Sequence, residues 1–493
     1  MDIAAAKEQI KNTVRIYLQK DALGRYRMPL VHQRPVFLQG APGLGKTAVM
    51  QQIATEMGLG LVSYSMTHHT RQSALGLPMI VEKTYGGKTY SVSEYTMSEI
   101  IAAVYDCMRN TGKTEGILFL DEINCVSETL APAMLLFLQY KVFGGHRLPD
   151  GWVVVTAGNP PRFNKSVREF DAATRDRLKM IEVEPEYAAW KRYALQNGVS
   201  RCVISYLDIR QEDFYKVETT VDGLAVVTPR AWEDLSEMLL SHEELDLPVD
   251  ENLTAQYLQN KQTARDFAIY YLLYQKYRQV YRIAELLQGR WDDATLAQAR
   301  TAKLDERMSL VSLLLEAVFD AMRRCTARHD ALALAVATLK AQKAQLQQPG
   351  DALAALAALE TAWRTDTAHQ AACLSLLPMT AAWHDVLKPQ DPAEPPQTPF
   401  AALRACYRQE VAGLQTEVAA TQAKIGKMLE FLQAAFGKGT ELSLAVNDLT
   451  VTPAATAFIG QFLSTDYFQA SRTLLLHRQE EELLHQIDLT GLV

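Results

Sequence analysis

The run Gly40-Ala41-Pro42-Gly43-Leu44-Gly45-Lys46-Thr47 constrains this chain more than any other feature. It satisfies the pattern G-x-x-x-x-G-K-[ST]. Its glycines allow a tight loop whose backbone N–H groups surround an anion, and a helix opening there aims its partial positive end at the same anion. In such a loop the Lys46 ammonium reaches the β- and γ-phosphates of a nucleotide, and the Thr47 hydroxyl ligates Mg²⁺. The flanks agree. Pro35 to Leu38 is a short apolar run that predicts a strand, and Ala48 to Met57 is helix-compatible.

Further apolar runs predict strands at 59–64, 116–120, 152–156 and 180–183, the last of the series. Helix-like stretches at 97–108 and 130–138 lie between them. Strands alternating with helices imply a parallel sheet covered on both faces. Two hairpins interrupt the alternation, at 78–95 and 141–148, each turning at Gly-Gly. Residues 1–30 begin with a helix carrying Ile10, Val14, Tyr17 and Leu18 on one side. Beyond Glu186 helical periodicity dominates. The expected divisions are 1–30, a nucleotide-binding α/β domain at 31–185, a helical lid at 186–290 and an α-helical region at 291–493.

In that last region Val311, Leu315, Val318, Met322, Cys325, Leu332, Val336, Leu339 and Leu346 keep a 3.5-residue rhythm, as do Tyr407, Val411, Leu414, Val418, Ile425, Met428 and Leu432. The spacing allows long coiled-coil-like helices. These form either a projecting arm or a compact bundle, with the proline-rich stretch 388–399 between them.

Two more groups carry chemistry. Leu118-Phe119-Leu120 delivers Asp121 and Glu122 to the end of a buried strand, about 75 residues after the glycine-rich loop. Asp121 suits the water shell of Mg²⁺, and Glu122 suits the orientation of an attacking water. Asn159, after the strand at 152–156, is a neutral group that holds such a water without adding charge repulsion. The pair His68-His69 lacks further ligands at metal-binding spacing, so a loop or partner contact is expected there.

Composition excludes several classes. Lys and Arg total 50 against 57 Asp and Glu, a formal net charge of −7, which disfavours a general nucleic-acid coater. Six cysteines without a C-x-x-C pair form neither a zinc ribbon nor a disulfide framework, and free or buried thiols are expected. No apolar run reaches the length of a membrane span, and the N-terminus does not read as a signal peptide, so a cytoplasmic location is expected.

Taken as a set, GAPGLGKT, HHTRQSALGLP, LFLDEIN, VFGGHRLPDGWVVVTAGNPP and DAATRDRL resemble an AAA+ ATPase, and more narrowly the MoxR family within the branch carrying an insert in helix 2. The resemblance covers about residues 30–240. It implies an AAA+ core with a helical lid, ATP hydrolysis with Mg²⁺, and a homo-oligomeric ring, a hexamer, that remodels a protein client. It implies Walker A roles for Lys46 and Thr47, Walker B roles for Asp121 and Glu122, and the sensor-1 role for Asn159. Arg177 matches the arginine finger that reaches a neighbour's γ-phosphate, although Leu178 stands where Phe is common. Arg175 is the other candidate. Arg230, in Thr228-Pro229-Arg230, matches sensor 2. By the same analogy the two hairpins are pore or substrate elements, with Arg71 near the pore, and simple sheet extension is their alternative. A partner bearing a von Willebrand factor A domain is implied as well. The rival functions are an AAA+ motor in a nucleic-acid-linked restriction or defence system, and a non-hydrolysing nucleotide switch.

Overall fold

The computed structural model describes residues 1–493 except 69, 164–166, 168, 221–222, 344–351, 367–369, 388–398 and 463–493. His69 and Leu346 therefore lie outside the described residues, as does the proline-rich stretch up to Thr398. The chain forms two compact units. The first comprises Met1–Lys191 and Gln211–Arg265, and the second Arg192–Arg210 and Asp266–Val493. The expected lid segment, 186–290, is thus shared between both units.

Eleven strands are described: β1 Val36–Gly40, β2 Gly60–Ser65, β3 Pro78–Tyr85, β4 Lys88–Tyr95, β5 Gly116–Asp121, β6 Val142–Phe143, β7 His146–Arg147, β8 Trp152–Gly158, β9 Lys179–Val183, β10 Lys216–Thr220 and β11 Gly223–Val227. Five of them build a parallel sheet in the order β2-β5-β8-β1-β9. These are the five strands that the apolar runs predict, with no end displaced by more than two residues.

Alternation along these strands explains the two-sided core. Val36, Leu38, Ile117, Phe119, Val153 and Val155 point to one face. There they pack on Ala6, Ile10 and Val14 of the helix Ile3–Tyr17 and on Val49, Met50 and Ile53 of the helix Lys46–Met57. Their immediate neighbours Phe37, Leu118, Leu120 and Val154 point to the other face. That face is covered by Ile100, Ile101 and Val104 of Glu99–Thr111 and by Met134, Phe137 and Leu138 of Ala131–Tyr140. A residue period of two places consecutive apolar side chains on opposite faces, so an unbroken apolar run is what a sheet buried on both sides requires. Each such buried side chain contributes about 1.5–3 kcal/mol.

The two anticipated hairpins form, β3–β4 and β6–β7, and both stand apart from the main sheet. Gly86 and Gly87 turn the first with φ of 56° and 79°, the left-handed values that a two-residue hairpin turn needs. The strand at 180–183 is the last of the sheet but not of the chain. β10 and β11 pair antiparallel as a third hairpin. Its first strand, KVETT, is too polar to show as an apolar run.

The second unit is helical in its described residues. Two helices of 38 residues, Leu304–Ala341 and Pro399–Phe436, pack together. Val311, Leu315, Val318, Met322, Cys325, Leu332 and Leu339 are buried as the rhythm requires, while Val336 is half-buried. A two-stranded seam does not account for the rest. Every residue from Met308 to Leu315 is buried, and along its length Leu304–Ala341 also packs against Arg201–Ile209, Gln370–Leu387 and Pro453–Phe462, the helix Gln370–Leu387 meeting its Ala331–Leu339 end. These residues are therefore a bundle, not a projecting arm. Among the described residues no disulfide forms between the six cysteines, three of which are buried. Among the described residues, no single helix is long and apolar enough to cross a membrane.

Candidate active site

Three neighbouring strands, β5, β8 and β1, end at one edge of the sheet, and the crevice outside the carboxyl ends of parallel strands is where ligands bind. The glycine-rich loop leaves β1. Lys46 opens the following helix with its side chain buried. Its Nζ donates to the carbonyls of Gly40 (2.9 Å) and Ala41 (2.8 Å) and to Oδ1 of Asn159 (2.9 Å). The loop and the β8 terminus are thereby in direct contact. Thr47 Oγ1 donates to Asp121 Oδ2 at 2.9 Å, which brings β5 to the same point.

Glu122 follows Asp121 in the left-handed region, with φ of 55°. For a residue with a Cβ this conformation costs about 1–2 kcal/mol. It turns the chain sharply after β5 and starts the 3₁₀ turn Ile123–Cys125. The Glu122 carboxylate accepts through Oε2 from the hydroxyls of Ser65 and Thr67, each at 3.1 Å. Neither hydroxyl stood out in the sequence. Both sit just past the apolar part of β2, and only the β2–β5 pairing, which sets Ser65 beside Asp121, brings them to the site.

Thr228 closes the other side. Its Oγ1 accepts from the backbone N–H of Ala231 and caps the helix Pro229–Glu244. Gly43, at φ 76°, lies so close that a Cβ there would approach Thr228 Cβ and Oγ1 at 2.7 Å. The Arg230 N–H donates to the Gly43 carbonyl at 3.3 Å. Arg230 therefore stands in the first turn of a helix that touches the loop directly, with an exposed side chain.

Burial pulls the Lys46 ammonium down to about 8. Arg230 adds to the fall, while Asp121 and Glu122 oppose it. Phosphate anions beside Lys46 favour its charged form, so nucleotide binding raises this pKa again. Binding therefore takes up protons above pH 8, and affinity falls as pH climbs beyond that, by at most about tenfold per unit. Calorimetric titration with ATP at about pH 9, in two buffers of different ionisation enthalpy, measures this uptake. A heat independent of buffer would refute it.

Thr47 Oγ1 and Asp121 Oδ2 supply two hard oxygen donors at one point, which fits Mg²⁺, an ion that keeps most of its ligands as water and phosphate oxygen. No group of three or more His, Cys, Asp or Glu side chains able to hold a metal occurs among the described residues.

Residues 35–178 match the family model for the AAA domain, dynein-related subfamily. Together with β9, these residues form an AAA+ core. No curated protein matches the chain.

The two arginine candidates lie at the end of the AAA+ core. Asp171 caps the short helix Ala172–Asp176, accepting from the Thr174 N–H at 2.7 Å. Arg175 lies within this helix and lines a cavity of about 170 Å³ with Gln39, Asn124, Glu169, Phe170 and Glu182. Arg177 follows the helix, exposed and in no ion pair among the described residues. His68 and Arg71 fall in the 3₁₀ turn Met66–His68 and the helix Arg71–Leu75 that lead to β3.

Proposed function

We propose that this protein is a MoxR-type AAA+ ATPase that hydrolyses ATP with Mg²⁺ in an oligomeric ring and uses the cycle to remodel a protein client. One observation carries the reading: Lys46, Thr47, Asp121 and Asn159 are linked by hydrogen bonds at a single sheet edge, with Glu122 adjacent. In this reading Lys46 exchanges its contacts to Gly40, Ala41 and Asn159 for phosphate oxygens. Asn159, once released, holds the water, and Glu122 orients it and accepts its proton as it attacks the γ-phosphorus in line, the bond to the β,γ-bridging oxygen breaking so that ADP leaves and phosphate forms. Thr47 and Asp121 would hold Mg²⁺, which would supply charge neutralisation for the phosphates. Arg230 approaches the same phosphates from the lid side. Gly40 to Ala48 form the cradle.

Arg177 is the better finger of the two arginines. Both side chains are exposed and neither forms an ion pair among the described residues, but Arg175 lines a cavity of its own domain, whereas Arg177 does not and is the arginine that matches the family's finger. A finger acts on a neighbour's nucleotide, so active sites are completed between subunits. The client side of the reading rests on β3–β4, an isolated ribbon with Met79, Ile80, Tyr85, Tyr90 and Tyr95 exposed. Apolar side chains gathered on one projecting element are typical of a protein-contact surface. The MoxR resemblance extends the proposal to a partner bearing a von Willebrand factor A domain.

Steady-state ATP turnover per subunit, measured across protein concentrations, tests the assembly. Turnover per subunit rises with concentration and is lost in Arg177→Ala, which still binds nucleotide. Constant turnover from a particle with the mass of one chain would overturn the shared site.

A further inference from the structure

We infer that Asn124 is a positioning residue for the hydrolysis, fixing the distance between Glu122 and Asn159. The inference rests on the ATPase reading above and adds a residue which that reading does not use. Asn124 lies in the 3₁₀ turn Ile123–Cys125, two residues after Glu122, and is 4% exposed. Its Nδ2 donates to the backbone carbonyl of Asn159 at 2.8 Å. That carbonyl is the first beyond β8. A side-chain amide from the β5 loop thus holds the residue whose own side chain accepts from Lys46.

The space for this amide is built into β8. A Cβ placed on Gly158 would lie 2.3 Å from Asn124 Oδ1 and 2.7 Å from its Cγ. Glycine at the end of the strand therefore lets the Asn124 side chain cross to the next residue. The link also needs a donor. Aspartate would present a carboxylate to the carbonyl, and alanine would leave the carbonyl without this partner, a loss of one hydrogen bond in a mostly buried place. With the link gone, the Asn159 and Glu122 loops are free to drift apart. A misplacement of about 1 Å at reacting groups costs on the order of 10²-fold in rate. Nucleotide affinity depends instead on the glycine-rich loop and Lys46.

The steric relation supplies the test. Asn124→Ala, Gly158→Ala, the double variant and Asn124→Asp are compared with wild type in the full chain. Melting temperature, ATP affinity, KM and kcat are measured for each. Asn124→Ala removes the atoms that a Cβ on residue 158 would strike, so the double variant refills the space and recovers melting temperature relative to both single variants. Its kcat nevertheless stays reduced by about 10–10²-fold, with affinity and KM within about twofold of wild type. Asn124→Asp keeps the volume, loses the donor and shows the same kcat defect. Recovery of kcat together with melting temperature in the double variant, or full kcat in Asn124→Asp, would reduce Asn124 to packing and overturn the inference. Absence of turnover in wild type would overturn the ATPase reading itself, and the inference with it.

Discussion

Glu122→Gln binds ATP with nearly unchanged affinity and hydrolyses it more slowly by about 10²–10⁴-fold, the range a positioned general base contributes. The substitution is close to isosteric. The glutamine carbonyl still accepts from Ser65 and Thr67, so the left-handed turn after Asp121 and the contacts around it persist. What disappears is the capacity to accept a proton from water. The affinity groups, Lys46 and the loop around Gly43, lie on a different strand–helix connection and keep their contacts, and the loss of the Glu122 charge removes only a minor support of the Lys46 ammonium. Equilibrium nucleotide binding and steady-state turnover on the same preparation separate the two effects. Turnover within about threefold of wild type would remove Glu122 from the role of base, given the magnitude expected for one. Loss of binding together with turnover would show that Glu122 instead supports the nucleotide pocket.

The placement of these residues at one sheet edge was legible in the sequence. The glycine-rich loop, the Asp121-Glu122 pair and Asn159 are legible because each ends an apolar run, and an apolar run in a parallel sheet fixes both the strand and its polar end. The five sheet strands follow from the same signal. Ser65, Thr67 and Asn124 leave no such trace. Their partners are 57, 55 and 35 residues away, and only strand order brings them together. The polar strand β10 is invisible for the opposite reason, since its alternation carries little apolar weight. In the second unit the rhythm from Val311 to Leu339 correctly marks a buried helix face. A heptad pattern reports one seam, however, and is blind to additional neighbours, so it did not reveal that Met308–Leu315 is enclosed on every side.

The largest stability change is expected in that second unit, at Arg201 and Asp448. Their side chains are only 9% and 2% exposed and form an ion pair. The Arg201 guanidinium also lies over the Phe319 ring, 4.7 Å from its centroid. Nη2 of Arg201 and Oδ1 of Asp448 are buried without hydrogen-bond partners among the described residues, so each charge relies mainly on the other. Removing one member leaves the other desolvated and unpaired. Asp448→Ala accordingly loses about 3–5 kcal/mol of stability, the cost of breaking a buried pair from one side. Arg201→Met with Asp448→Leu recovers most of that loss, because neither charge then has to be taken out of water. Denaturant unfolding followed by a tryptophan of this unit, such as the buried Trp363 or Trp383, reads both variants even where the two units unfold separately. A loss below about 1 kcal/mol in Asp448→Ala would place the pair with exposed ion pairs, against its burial. A double variant as unstable as the single one would mean that packing around Phe319, and not the charge left behind, sets the cost.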